Sequence, residues 1–351
     1  MLSPNTQYNL RNAKEYFEEH LCAGDYYSEG QTIAGQWLGE GAERLRLSGK
    51  VKRDDFLSLC ENLDPNTGQL LTQRLKTTRA EDGGDRESGT VANRRVFYDF
   101  TFSPPKSVSI AAFIGNDERI VEAHNRAVSL ALGELECFAA TRVRVRRAYA
   151  DRHTGNVVCA VFQHHTSRAL DPHLHSHCIV FNATHDVVED RWKALQNFEM
   201  LRAQKYVENV YYHELARDLR RFGYDLVNKP RGDFEIRGIS KELCDRFSKR
   251  HQEIDEKTQE LLSSGADLAA ANIKDVRETV AHKERSRKIK GIGDDELREH
   301  WRAQLSPVDE QAISAASGSR SATNTASVTD DAVAAVAWAE DHLFDRRSVV
   351  P

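Results

Sequence analysis

The sequence predicts an α+β fold: a central antiparallel β-sheet flanked by helices, with a helical extension toward the C-terminus. Three observations carry this. Arg94 to Ser103 alternates apolar and polar residues at period two, the signature of a strand with one buried face. Asp171 to Phe181 places histidines at 173, 175 and 177 and then turns apolar, which marks a second strand. The stretches 117–140 and 197–222 carry apolar residues at helical spacing, separated from the strands by polar turns. Strands and helices mixed in this order make an α+β plan, and the helices are expected on one face of the sheet.

Taken in order, residues 7–21 read as an amphipathic helix with Leu10, Ala13, Phe17 and Leu21 on one side and Tyr16 within it. Gly24 and Asp25 end it, and Tyr26 and Tyr27 follow. Shorter helices are expected over 36–47 and 54–62. Residues 64–95 are polar and irregular, a length that in a compact domain marks a functional or disordered loop. In the next strand Val96, Tyr98, Phe100 and Phe102 share one face, with Phe97, Asp99 and Thr101 on the other. Ser103-Pro104-Pro105-Lys106-Ser107 ends that strand and a helix begins at Val108. The 117–140 helix has Ile120, Ala123, Ala127, Leu130 and Leu135 as its core stripe. Residues 141–148 read as a strand whose outer face is Arg142, Arg144 and Arg146. Val157 to Gln163 is an apolar strand that runs out at His164-His165, and 185–190 is a polar turn. The 197–222 helix presents Met200, Leu201, Val207, Val210, Leu215 and Leu219. A small hairpin is expected from 224–227 and 234–237, then a charged helical region to about 304. Ala, Ser, Gly and Thr dominate 315–325, the composition of a flexible linker.

The chain has 351 residues, with 49 Lys plus Arg against 54 Asp plus Glu and a net charge of −5. Such a balance does not suit a protein that coats nucleic acid nonspecifically, so any such contact must come from local basic patches. No apolar run has the ~18–20 residues of a membrane helix, and no signal peptide is visible. The 6 cysteines are scattered without a C-x-x-C pair, which points to the cytoplasm.

The candidate chemistry lies in the histidine strand. Alternate residues face one way, so His173, His175 and His177 share a face with Ile179 and Phe181. Three ligands on one extended strand would span ~13 Å at ~3.3 Å per residue, too far for one ion with bonds of ~2.1 Å. His164, at the end of the preceding strand, closes the triangle with His175 and His177 better than His173 does. Three neutral imidazoles leave coordination positions open, as catalytic sites do. A cation held there keeps its charge and suits a phosphodiester. Asp99 is placed either to orient a ligand histidine or to accept a proton from a nucleophile. The nucleophile candidates are Tyr16, Tyr26 and Tyr27, whose unperturbed pKa of ~10 requires activation.

Four segments together resemble the MobF family of conjugative relaxases, which are HUH endonucleases. They are Pro172-His173-Leu174-His175-Ser176-His177, Phe162-Gln163-His164-His165-Thr166-Ser167-Arg168, Tyr98 to Ser107, and the N-terminal tyrosines. The resemblance implies a tyrosine attack on one phosphate at an origin of transfer, giving a 5′-phosphotyrosine and a free 3′-OH. It maps His164, His175 and His177 to the metal ligands and Asp99 to the acidic residue beside them. Tyr16 falls on the nicking tyrosine, and Tyr26 or Tyr27 on the second one; Phe17 follows Tyr16 where the family often has a tyrosine pair. A divalent ion is implied, Mg2+ or Mn2+, with Zn2+ or Ni2+ as substitutes in vitro. The implied partners are single-stranded origin DNA with an adjacent hairpin, accessory relaxosome proteins and the conjugative coupling machinery. Arg74, Lys76, Arg79, Lys106, Arg168 and Lys193 are the expected DNA-binding residues.

The domain organisation that follows is an HUH relaxase core at 1–238 and a fingers-like helical arm at 239–305. A flexible linker at 306–331 and the start of a helicase-like domain at 332–351 complete it. A rolling-circle replication initiator would share the chemistry. A three-histidine small-molecule metalloenzyme would need no tyrosine, and a noncatalytic origin-binding module would use the metal structurally.

Overall fold

Side-chain alternation lets the three inner strands of a five-stranded central sheet bury both their faces between helices. The structure is a computed structural model that describes residues 1–7, 10–18, 35–73, 95–146, 148–263 and 293–317. The N-terminal half runs β1 (Leu2–Gln7), α1 (Leu10–Tyr16), β2 (Gln36–Leu38), α2 (Glu40–Arg44), α3 (Arg53–Cys60), β3 (Phe97–Phe102), α4 (Lys106–Phe113) and α5 (Glu118–Glu136). It continues through β4 (Ala140–Val145), β5 (Ala148–His153), β6 (Cys159–Thr166), β7 (Pro172–Phe181), β8 (Thr184–Asp186), β9 (Arg191–Lys193) and β10 (Leu195–Gln196). The remainder is α6 (Phe198–Arg202), α7 (Gln204–Arg221), β11 (Leu226–Asn228), β12 (Phe234–Ile236), α8 (Lys241–Arg246), α9 (Lys249–Ser263), α10 (Asp294–Arg302) and α11 (Pro307–Ser317).

The central sheet has the order β1-β3-β7-β6-β2, antiparallel throughout. Strands β10, β4 and β5 make a second sheet, and β8–β9 and β11–β12 are hairpins. One face of the central sheet buries Tyr98, Phe100, Phe102, Leu174, Cys178 and Val180 under α4, α5 and α7. The other buries Phe97, Phe162, Ile179 and Phe181 under α1 and α3. There Phe17 stacks on Phe56 with ring centres 4.1 Å apart, and Phe56 meets Phe181 edge-on at 5.0 Å. Helices therefore cover both faces, not one. The face alternation expected in β3 and β7 holds from Phe97 and His173 onward.

Several local expectations change. β1 was not legible: Leu2-Ser3-Pro4-Asn5-Thr6-Gln7 has little strand character, but it pairs with β3 along its full length at the sheet edge. Pro4 is tolerated there because an edge strand needs hydrogen bonds on one side only. Residues 36–47 divide into β2 and α2, and 197–222 into α6 and α7, rather than forming single helices. Leu130 and Leu201 sit at the margins of their helical stripes and are 45% and 38% exposed. β6 does not stop before His164 but continues to Thr166. The 185–190 turn is the tip of the β8–β9 hairpin. Residues 307–317, expected in a flexible linker, form α11, whose Ile313 is buried in the main core. Leu243, Phe247, Leu297 and Trp301 from the expected arm join that core as well. The rest of the expected linker and the 332–351 segment lie outside the described residues. Among the described residues no helix is long and apolar enough to cross a membrane.

Candidate active site

β-Register brings the histidines together. His164 on β6 is the direct partner of His175 on β7, and Phe162 is the partner of His177. Opposed residues share a face, so His164 meets the two alternate histidines of β7 from across the strand gap. The ring centres of His164, His175 and His177 form a triangle with sides of 5.2, 5.3 and 5.1 Å. His173 lies outside this triangle and stacks on His175 at 4.6 Å. The ladder shifts register just beyond His164, a bulge that turns His165 toward the ring of Phe113 at 4.9 Å.

Hydrogen bonds fix the imidazoles. Nδ1 of His175 lies 3.0 Å from the carbonyl oxygen of His173, and Nδ1 of His177 lies 2.8 Å from Oδ2 of Asp99. A carbonyl and a carboxylate only accept, so both rings donate from Nδ1 and keep the Nε2 lone pair. Burial lowers the pKa of His175 to about 3, which keeps it neutral. Among the described residues no three donors are closed to the geometry of a filled metal site. Three imidazoles bound at about 2.1 Å to one ion do, however, set their ring centres about 5 Å apart, and these rings stand at that separation. By residue type and ring spacing the donor set suits one divalent ion.

Asp99 joins this triangle to the first helix. It is 2% exposed, on the face of β3 opposite Tyr98 and Phe100. The Tyr16 hydroxyl donates to Oδ2 of Asp99 at 2.6 Å and lies 3.4 Å from Nδ1 of His177. One carboxylate oxygen thus accepts from both the tyrosine and the histidine. Thr101, which the sequence did not single out, donates to Oδ1 at 3.2 Å and lies 3.0 Å from Nδ1 of His177. It stands two residues along β3 from Asp99, so period-two reasoning could have found it.

A second polar chain backs the ligand strand. Ser176 points away from the triangle, its Oγ 2.8 Å from Nε2 of His124, whose Nδ1 is 2.8 Å from the Tyr211 hydroxyl. Burial lowers the pKa of His124 to about 3. The turn between β6 and β7 is also held. Leu170 adopts a left-handed φ of 60°, and its carbonyl accepts from Trp301 Nε1 at 2.6 Å. The backbone N–H of Lys249 donates to Oδ2 of Asp171 at 2.9 Å.

The triangle opens into a cleft of about 1060 Å³ lined by Tyr16, Lys106, Arg168, His173, His175 and His177, among others. Lys106 donates from Nζ to the Pro172 carbonyl at 3.0 Å, and burial lowers its pKa to about 8. Lys193 is not in the cleft; its ammonium sits 2.8 Å from Glu189 and 3.5 Å from Asp186, which satisfies its charge within the β8–β9 hairpin. Tyr26, Tyr27, Arg74, Lys76 and Arg79 lie outside the described residues. On β4, Arg142 and Arg144 are exposed, as is Arg146 just beyond it. Tyr149, 72% exposed on β5, has the Arg142 guanidinium 5.9 Å from its ring.

Fold and site together have the form of an HUH endonuclease, with a histidine pair on the central strand and a tyrosine on the flanking helix. The chain belongs to the TrwC relaxase family, whose sequence model matches residues 10–308. Multifunctional conjugation protein TraI of Escherichia coli (strain K12) is 35% identical over 279 residues, covering 74% of this chain. The chain spans only 14% of the length of that relative. Among solved structures it is similar to the metal-bound complex of conjugative relaxase TrwC with oriT DNA. The TM-score is 0.69 at 31% identity, over 86% of this chain and 96% of that one. TrwC complexed with a 27-mer DNA comprising the recognition hairpin and the cleavage site matches at a TM-score of 0.67 and 29% identity, over 91% and 99%.

Proposed function

We propose that this chain is the relaxase part of a conjugation protein. It nicks one strand at an origin of transfer and later rejoins or transfers it. The carrying observation is the shared carboxylate oxygen: Asp99 accepts the Tyr16 hydroxyl at 2.6 Å and His177 Nδ1 at 2.8 Å. The same group can take the phenolic proton and hold a ligand histidine in its metal-binding tautomer.

The reaction is a transesterification. The Tyr16 oxygen bonds to phosphorus, its proton passes to Asp99, and the bond from phosphorus to the 3′-oxygen breaks. The 3′-oxygen leaves as a hydroxyl after taking a proton from water, and the 5′ strand stays on Tyr16. His164, His175 and His177 would hold a divalent ion, for which we favour Mg2+ or Mn2+. Such an ion would supply positive charge against the charge that develops on the phosphate. Lys106 and Arg168 line the cleft where flanking phosphates would pass, and Arg74, Lys76 and Arg79 are further candidate contacts. Exposed Arg142, Arg144 and Arg146 with Tyr149 offer a basic ribbon for a DNA hairpin beside the nick. Tyr26 or Tyr27 serves the second transfer. In the whole protein, relaxosome and coupling components are the expected partners, in the cytoplasm. Kinship with TrwC and TraI favours conjugation over replication initiation and over small-molecule metal chemistry.

Tyr16→Phe tests the reading. It should form no covalent adduct with a single-stranded oligonucleotide carrying the nick site while binding it as before. Adducts at the wild-type rate would remove Tyr16 from its role, and full cleavage in excess chelator would remove the metal.

A further inference from the structure

His173 is the one histidine of β7 with no part in the triangle, yet it faces the same cleft. We infer that His173 is a specificity-determining residue that receives the nucleotide on the 5′ side of the nick, the one that leaves with the free 3′-OH. This rests on the nicking function proposed above.

The inference comes from the order of groups along the strand. Tyr16 stands at the His177 end, its hydroxyl 3.4 Å from Nδ1 of that ring. His175 occupies the middle. His173 lies at the far end, its ring centre 4.6 Å from that of His175 with 28° between the planes. Attacking and leaving oxygens in phosphoryl transfer lie roughly in line on opposite sides of phosphorus. With the nucleophile arriving from the His177 end, the 3′-oxygen departs toward His173. The nucleotide that carries it must therefore lie over that part of the cleft.

Spacing supports this. Two residues along a strand advance about 6.6 Å, on the scale of one phosphate step in an extended nucleic-acid strand. A scissile phosphate at the triangle thus puts its 5′ neighbour one step along, at His173. Lys106 is anchored on Pro172, the adjacent residue, and Arg168 lines the same cleft. Two cations for a phosphate and a flat ring for a base or sugar are the parts of a single-strand subsite. The His173 imidazole offers that subsite a flat stacking surface and ring nitrogens. The same subsite would hold the 3′-OH end during rejoining.

The test compares wild type, His173→Ala and His173→Phe on single-stranded oligonucleotides that span the nick. All four bases are placed at the position just 5′ of the nick and, separately, just 3′ of it. Single-turnover adduct formation is the readout, and Mn2+ affinity is measured on each protein alone. The wild type should discriminate at the 5′ position. His173→Ala should narrow that spread by about tenfold, the worth of one hydrogen bond from a ring nitrogen to the base, with the 3′ spread and Mn2+ affinity unchanged. His173→Phe should recover binding but not the base preference. The inference is overturned by a wild type indifferent to the 5′ base, an unchanged spread in His173→Ala, or equal narrowing at both positions. Weakened Mn2+ binding in His173→Ala overturns it too. A wild type that forms no adduct overturns both this inference and the function beneath it. Adducts with an unchanged spread overturn this inference alone.

Discussion

Asp99→Asn is the most informative single change, because the substitution keeps shape and volume while removing the charge. Oδ2 of Asp99 receives two hydrogen bonds, from Tyr16 at 2.6 Å and from His177 at 2.8 Å, at a site only 2% exposed. A hydrogen bond to a charged group contributes about 1.5–3 kcal/mol. Loss of a positioned proton acceptor slows a reaction by about 10²–10⁴. Loss of the carboxylate behind a ligand histidine weakens metal binding by about 10–100-fold. The two roles separate experimentally. Adduct formation is followed in single turnover at saturating Mn2+, and Mn2+ affinity is measured by calorimetry on the protein without DNA. We expect the rate to fall by about 10² or more even when the metal is saturating. A rate fully restored by added metal would refute the proton-accepting role and leave Asp99 only the orientation of His177. A variant matching wild type in both measurements would refute the reasoning entirely.

Other changes have equally definite outcomes. Lys106 loses its proton near pH 8, so oligonucleotide affinity should fall as pH rises through that value, while Lys106→Arg should stay flat; identical profiles would exclude Lys106 as a phosphate contact. The unfolded chain protonates His124 below about pH 6.5, while the folded chain refuses the proton down to about 3. Stability is therefore lost as pH falls through that window, by about 1.4 kcal/mol per pH unit for one proton. Urea midpoints of His124→Leu should show a correspondingly shallower acid dependence, and an equal slope would exclude this histidine as its source. Phe56→Ala empties the aromatic cluster beneath α1 and should cost about 3–5 kcal/mol in urea unfolding. A loss well under that would mean the cluster collapses around the gap.

The juxtaposition of the candidate site residues was more legible in the sequence than the architecture that frames it. Period-two spacing put His175 and His177 on one face, and the reach of a metal–nitrogen bond pointed to His164, which register then set opposite His175. Asp99 fell on the correct face of β3 by the same rule. Local pattern could not reveal β1, because what makes Leu2–Gln7 a strand is a partner almost a hundred residues away. The second helical layer was hidden for a related reason. Phe17, Phe56 and Phe97 come from three separate elements, and only their packing shows that they cover the other face. α11 was masked by composition, since an Ala- and Ser-rich run reads as a linker until Ile313 finds a core. Lys193 shows the converse limit: a basic residue near expected DNA contacts turned out to answer nearby carboxylates.

The tether from Trp301 and Lys249 to the bend at Leu170 and Asp171 bears on how much polypeptide the proposed site draws on. That bend joins the two histidine strands, and its left-handed leucine is steadied by an indole contributed more than a hundred positions downstream. A fragment cut after the β11–β12 hairpin would retain every proposed ligand and the proposed nucleophile, yet would forfeit both restraints. The polypeptide that steadies the proposed site therefore runs on through Trp301, a tryptophan remote from the chemistry, rather than ending at the last proposed ligand.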